Sequence, residues 1–282
     1  MQQRSNLYIF TFALIVCLAC SIGLALAATA LKPAQVTNSR LDVVKNLLSI
    51  SGYKDEDIAR MTAPAMLELY RKEFPSQILN ENNKPVERAW IEKELAILGY
   101  PPEDLKDQFD FEIVEIFNKK INLIARRAGQ SAADYRTKVA TGKAGYRMIF
   151  MHKPAEEVDA YIIPIAGNGL WGMMYGYLAL QPDLITIKGV RFYKHVETPG
   201  LGAEAEKPWF TNMFIGKKIL DENGQLRPVR VAKGKAASDA EVDGISGATL
   251  TGDGITKFIK KDLSAFEPYF QILRKLHTED GV

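Results

Sequence analysis

The stretch Asp243–Gly254, DGISGATLTGDG, sets four glycines and three hydroxyl side chains (Ser246, Thr249 and Thr251) directly ahead of the run ITKFIKKDLSAF. In that run Ile255, Phe258, Ile259 and Leu263 fall on one helical stripe. The spacing predicts a helix from about Thr251 through Phe266, with Ser246 to Thr249 just before it or in its first turn. The amides of Gly247, Ala248, Thr249 and Leu250 then lack intrahelical partners, and the helix dipole favours negative charge there. Such a start suits a phosphate, and glycines let it approach closely. On these residues alone a loop with a Ser or Thr helix cap is the plain alternative.

Upstream of this stretch the chain divides into two styles. From about Arg147 the runs YRMIFMHK, VDAYIIPI, MMYGYLAL, LITIKGVRFYKH and PVRVAKG are rich in strand formers and separated by Gly, Pro and Asp. They predict an α+β domain over 146–282, a twisted, largely antiparallel sheet flanked by helices. Before it, Ser39–Ser49, Asp55–Phe74 and Val86–Leu98 carry helical periodicity, with Leu41, Val44, Leu47 and Leu48 on one face of the first. Residues 32–145 therefore read as a helical stalk and cap, and Lys233–Ala240, KGKAASDA, as a linker-like segment.

Residues 1–6 form a short tail ahead of Leu7–Leu31, LYIFTFALIVCLACSIGLALAATAL, which contains no charge. About 25 residues at about 1.5 Å each cross a hydrocarbon core of about 30 Å, so 7–31 is read as a transmembrane anchor. The alternative is a cleaved signal peptide ending at Ala28-Thr29-Ala30, although the apolar region of such peptides is shorter. Arg4 on one side and Lys32, Arg40 and Lys45 on the other leave orientation undecided by charge. Both cysteines, Cys17 and Cys20, lie in the apolar run, which leaves no thiol for a disulfide or a cysteine-based metal site in the rest of the 282 residues. His152, His195 and His277 are scattered without ligand spacing, so no metal site is expected. A formal charge of +2 lacks the concentrated positive field of a nucleic-acid binder.

Two motif matches fail on context. Gly167–Gly172, GNGLWG, fits the dinucleotide fingerprint but continues as MMYGYLALQPD, which reads as a strand after a hairpin-like turn instead of a phosphate-binding helix. The GISG around Ser246 approaches a nucleophile elbow with Asp262 and His277 following in hydrolase order, but its second glycine comes one place early.

The segment DGISGAT resembles the attachment motif of proteins that carry flavin mononucleotide (FMN) covalently, by a phosphoester bond to the final Thr, here Thr249. HVETPGLGAE (His195–Glu204), AGNGLWGMMYGYLAL (Ala166–Leu180) and IGKKILDENGQ (Ile215–Gln225) resemble the same FMN-binding family. With the single anchor, the whole resembles the C subunits of sodium-translocating NADH:quinone reductases. The resemblance is strong from about Val158 to Thr256 and confined to the anchor and helical style before Phe150.

That resemblance implies the cofactor, its contacts and the partners. FMN is bound covalently at Thr249, beside Ser246, Gly247, Ala248 and Leu250. A separate flavin transferase, using FAD as donor, recognises Asp243, Ser246, Gly247, Ala248 and Thr249. Thr251, two residues on, stands outside the motif. The loop with Glu197, Thr198, Gly200, Leu201 and Gly202 lies beside the flavin ring, and Trp171, Met173 and Met174 line its slot, a docking face or plain core. The implied role is an electron carrier between an iron-sulfur centre and a second flavin subunit, itself binding neither NADH nor quinone. The complex lies in the bacterial inner membrane, with this soluble domain facing the periplasm. Two rivals share part of the pattern, the G subunit of Rnf-type electron-transport complexes and an FMN-binding membrane regulator. GLWGMMYGYLAL and the long helical insertion favour the quinone reductase over the Rnf complex. One departure from the family is Gly252, where serine is more usual, which loosens the first helical turn.

Overall fold

A computed structural model describes residues 6–127 and 145–279. Residues 1–5 of the expected tail, 128–144 of the expected helical region and 280–282 lie outside the described residues. Two compact units appear, one ending at Lys45 and one starting at Asn46.

Helix α1 (Asn6–Ser51) does not stop at Leu31 but continues unbroken through Pro33. Its first part exposes one apolar side chain after another, from Leu7 to Leu31, and it is long and apolar enough to cross a membrane. The expected helix Asp55–Phe74 is two helices, α2 (Asp55–Arg60) and α3 (Ala63–Glu73). Met61 and Thr62 are extended, and Pro64 accounts for the break: in the first turn of α3 it needs no amide partner, whereas in one continuous helix its ring would meet the Arg60 carbonyl.

The segment expected to be helical also supplies two strands, β1 (Ser76–Leu79) and β2 (Pro85–Val86), before α4 (Arg88–Ile97), α5 (Pro102–Leu105) and α6 (Asp110–Arg127). They join β3 (Arg147–His152), β4 (Ala160–Asn168), β5 (Met173–Leu180) and β6 (Ile187–Lys194) in one sheet of order β2-β1-β3-β4-β5-β6, antiparallel at every pairing. SQIL and PV are too short for an alternating pattern to stand out; PV pairs with SQIL, and the pairing of SQIL with β3 is a tertiary fact. Beyond β6 come a short helix α7 (Pro208–Thr211), a two-residue parallel pair β7 (Arg230–Val231) and β8 (Glu241–Val242), and the long helix α8 (Thr249–Glu279). The fold is α+β, as the sequence pattern indicates.

Strand alternation puts Tyr161, Ile163 and Ile165 of β4 on one face with Ile149, Met174, Leu178 and Leu180. Helix α8 covers that face with Ile255, Phe258, Ile259, Leu263, Phe266 and Phe270, all buried. Each such side chain contributes about 1.5–3 kcal/mol of burial. The opposite face, with Phe150 and His152, meets the helical segment. The His152 ring lies 5.0 Å from Phe74 and 6.0 Å from Tyr53, and its Nδ1 pairs with Asp159 at 2.6 Å. Tyr53 donates to Glu73 at 2.5 Å, and burial together with that carboxylate pushes its hydroxyl up to about 12.

Helix and sheet touch where side chains are missing. A Cβ on Gly254 would collide with the carbonyl oxygen of Asn168, and one on Gly167 with the Phe258 side chain. Backbone meets backbone here, and this contact sets how closely the first turns of α8 lie on the end of β4. Gly254→Ala should therefore force helix from strand, an overpacking cost of about 2 kcal/mol. For a unit of this size that lowers Tm by about 4–8 °C in a thermal melt, whereas an Ala at solvent-facing Gly234, where the added atom meets nothing, should melt like the wild type.

Candidate functional site

Three loops converge at the start of α8. The first is the β4–β5 turn, closed by the Gly169 amide donating to the Gly172 carbonyl at 2.8 Å. A strand, β5, and not a helix follows GNGLWG, which removes the dinucleotide reading. The second loop follows β6. The Thr198 carbonyl accepts the Leu201 amide at 3.1 Å across Pro199 and Gly200, and Gly200 has φ +73°. Proline second and a left-handed glycine third make a type II turn, so TPGL folds locally as its residues dictate. The third is DGISGAT itself.

Glu197 holds the three together. Its Oε2 accepts the Thr251 hydroxyl at 2.5 Å, and its Oε1 accepts the Trp171 amide at 2.9 Å, with the Leu170 amide beside it. Glu197 is 5% exposed and Thr251 1%. Burial alone raises the Glu197 carboxyl, but the Thr251 hydroxyl, the two amides and nearby His195 outweigh it and hold the group below the usual glutamate range. His195 in turn accepts the Glu197 amide at 3.3 Å and pairs with Glu206 at 3.3 Å. The loop is thus tied at both ends.

At the helix start, Gly252 makes the first regular helical bond, to the Ala248 carbonyl at 3.0 Å, while the Ala248 amide already donates to Ile245. Ala248 is therefore the N-cap, and among the described residues the first-turn amides of Thr249, Leu250 and Thr251 have no hydrogen-bond partner. The expected set beginning at Gly247 moves by two residues, because the chain turns at Gly247 before the helix begins. Gly247 has φ +71°, and a Cβ there would also strike the Leu201 side chain at 2.7 Å. Ser246, Gly247 and Thr249 are exposed, and Ala248 is buried.

Around this start stand exposed apolar side chains from the first two loops and the first turn of α8, with Trp171 67%, Leu201 41% and Leu250 60% accessible. Thr198 and Met173 are exposed as well, whereas Met174 is buried in the core. Asp243 accepts from Lys235 at 2.6 Å and from the Ala236 amide at 2.8 Å, closing the loop KGKAASDA on itself; these bonds lower its carboxyl. The hydrolase reading is removed too, because Asp262 takes the Ala166 amide at 2.8 Å and His277 faces the Tyr161 hydroxyl at 3.2 Å. Thr251 stands outside the attachment motif, yet it is the hydroxyl that Glu197 grips. A Thr in the third position of a helix carries no signal that would reveal this.

The arrangement offers a free hydroxyl, Thr249, beside unpaired amides at a helix N-terminus, under an open apolar rim. A phosphate ester with a flat aromatic ring fits these features. The FMN-binding domain family matches residues 169–264, a span that begins at the first of the three loops and contains all of them. The C subunit of the Na(+)-translocating NADH-quinone reductase of Pseudomonas aeruginosa is 30% identical over 281 residues, covering 97% of this chain and 98% of that one.

The chain belongs to this family of reductase C subunits.

The corresponding C subunit of Yersinia pestis is 31% identical, with 95% of this chain and 92% of that one covered. Among solved structures, the C subunit from Parabacteroides distasonis aligns with a TM-score of 0.58 at 27% identity, covering 85% of this chain and 96% of that one. Shewanella oneidensis NqrC shares the fold at a TM-score of 0.58 and 21% identity, over 86% and 99% of the two chains.

The depressed Glu197 carboxyl fixes the sign of a pH effect in this member of the family. Its stabilisation is complete above the ordinary glutamate value of about 4.3 and is lost as pH falls through the lower folded value. Glu197→Gln should cost about 1–2 kcal/mol at neutral pH. In urea titrations the variant and wild-type stabilities should converge as the solution is acidified; a gap that persists or widens in acid would contradict the assignment.

Proposed function

We propose that this protein holds FMN covalently on Thr249 and relays electrons within a sodium-translocating NADH:quinone reductase. The observation that carries the reading is the position of Thr249. It is the exposed first residue of α8, inside the FMN-binding domain match, with the unpaired amides of the first turn beside its hydroxyl.

Bound FMN supplies the one- and two-electron chemistry that no side chain provides. The residues of this chain bind and orient it. Thr249 gives its Oγ to the phosphorus and loses the hydroxyl proton, and with FAD as donor to the transferase AMP is the leaving group. The ester keeps one negative charge, which the amides of Thr249, Leu250 and Thr251 and the helix dipole are placed to stabilise. Gly247 leaves room for the phosphate, since any side chain there would be strained in conformation and crowded by Leu201. Trp171, Leu201, Leu250 and Thr198 form the rim that would hold the ring, and Gly200 shapes the turn that presents Leu201. Asp243, Ser246, Gly247, Ala248 and Thr249 are what the transferase reads. Asp243 gives that segment a fixed shape through Lys235 and Ala236.

In this reading α1 anchors the protein in the lipid bilayer of the bacterial inner membrane, with the sheet domain on the periplasmic side. Electrons arrive from an iron-sulfur centre in neighbouring membrane subunits and leave to a second covalent flavin on a sister subunit. An exposed rim suits that traffic, because a ring held there stays within reach of partners.

The test is in-gel flavin fluorescence after denaturing electrophoresis of the chain produced with a flavin transferase. The wild-type band should fluoresce, Thr249→Ala should be dark, and Thr251→Ser should fluoresce like the wild type. A dark wild-type band, with the transferase shown active on another acceptor, would reject the covalent carrier.

A further inference from the structure

Glu197 was expected to touch the flavin, but its carboxylate is already engaged on both sides. Oε2 takes the Thr251 hydroxyl at 2.5 Å, and Oε1 takes the Trp171 amide at 2.9 Å. Glycine backbones close over what remains. A Cβ on Gly202 would stand 2.6 Å from Oε2 and 2.7 Å from the Thr251 hydroxyl, and one on Gly169 would stand 2.5 Å from Oε1. Neither glycine has a positive φ, so both positions demand space and not an unusual conformation.

We propose that Glu197 is a positioning residue of the flavin site, which acts through Thr251 and the Leu170–Trp171 amides and assembles the site before the flavin arrives. Residues 249 and 251 are separated by about 200° around a helix. Holding Thr251 inward therefore turns Thr249 outward, as their burial shows. The apolar stripe from Ile255 onward fixes the rotation of the body of α8. Its first turn, which precedes the first regular helical bond at Gly252, depends on Thr251 for the same setting. The other oxygen fixes the backbone at Trp171, the most exposed of the apolar side chains on the rim. Thus the hydroxyl that would bear the flavin and an aromatic that would face it are set by the two oxygens of one buried carboxylate.

This role predicts an effect at a distance. Thr251 and the Trp171 amide are linked in the structure through the Glu197 carboxylate, so Thr251→Val should disturb Trp171 and Thr251→Ser should restore it. In the full chain in detergent, made flavin-free by Thr249→Ala, hydrogen exchange at the Leu170 and Trp171 amides should be about five- to tenfold faster with Thr251→Val and near the parent rate with Thr251→Ser. Unchanged exchange in the Val variant would overturn the proposal.

A second arm rests on the covalent reading of Thr249. In the flavin-bearing chain, Thr251→Val should lose most of the visible circular dichroism of the flavin, measured per flavin bound. Glu197→Gln should alter the same signal, and the two changes should not add in the double variant. A spectrum changed by Glu197→Gln and untouched by Thr251→Val would make Glu197 a direct contact and overturn the proposal. If the wild type bears no flavin, Thr249 attachment fails, and the exchange arm still decides the role of Glu197.

Discussion

The structure of the site depends on one buried carboxylate. Glu197 lies where the β4–β5 turn, the loop after β6 and the first turn of α8 meet, and it accepts hydrogen bonds from the first and third while belonging to the second. Burying a charge in such a place is costly unless it is fully hydrogen-bonded. Here the donors outweigh the burial, so the group stays ionised and becomes a fixed point. Its neighbours Gly169 and Gly202 are the corresponding constraint in sequence, because side chains there would fill the space the carboxylate occupies.

Around that point the rest follows from packing. Gly254 against Asn168 and Gly167 against Phe258 bring α8 onto β4 at backbone distance. The stripe from Ile255 to Phe270 then buries one face of the sheet. The helix delivers its N-terminus, with its unpaired amides, to the edge where the two loops stand. One sheet face and a long amphipathic helix supply the stability, and the function sits at their common end.

Much of this was legible in the sequence. The change from helical to alternating periodicity near Arg147, the turn at GNGLWG and the stripe after Thr251 are local patterns, and each matches the element found. The apolar run from Leu7 was legible as an anchor, but not that its helix runs on to Ser51, because a helix need not end where its hydrophobicity does. Strands β1 and β2 were hidden, since the four-residue β1 depends on β3 far along the chain and the two-residue β2 depends on β1. The division of labour between Thr249 and Thr251 was hidden for the same reason. Both hydroxyls look alike in sequence, and only a contact across 54 residues separates the buried one from the exposed one.

That separation is the most direct handle on the account. The measurement is tandem mass spectrometry of the peptide spanning Asp243 to Lys257 from the chain isolated with its flavin transferase, locating the flavin phosphate on one side chain. The flavin phosphate should be found on Thr249, with Ser246 and Thr251 unmodified. Flavin found on Thr251 would mean that the hydroxyl held by Glu197 is not held in the protein as it matures, and would contradict the division of roles between Thr249 and Thr251.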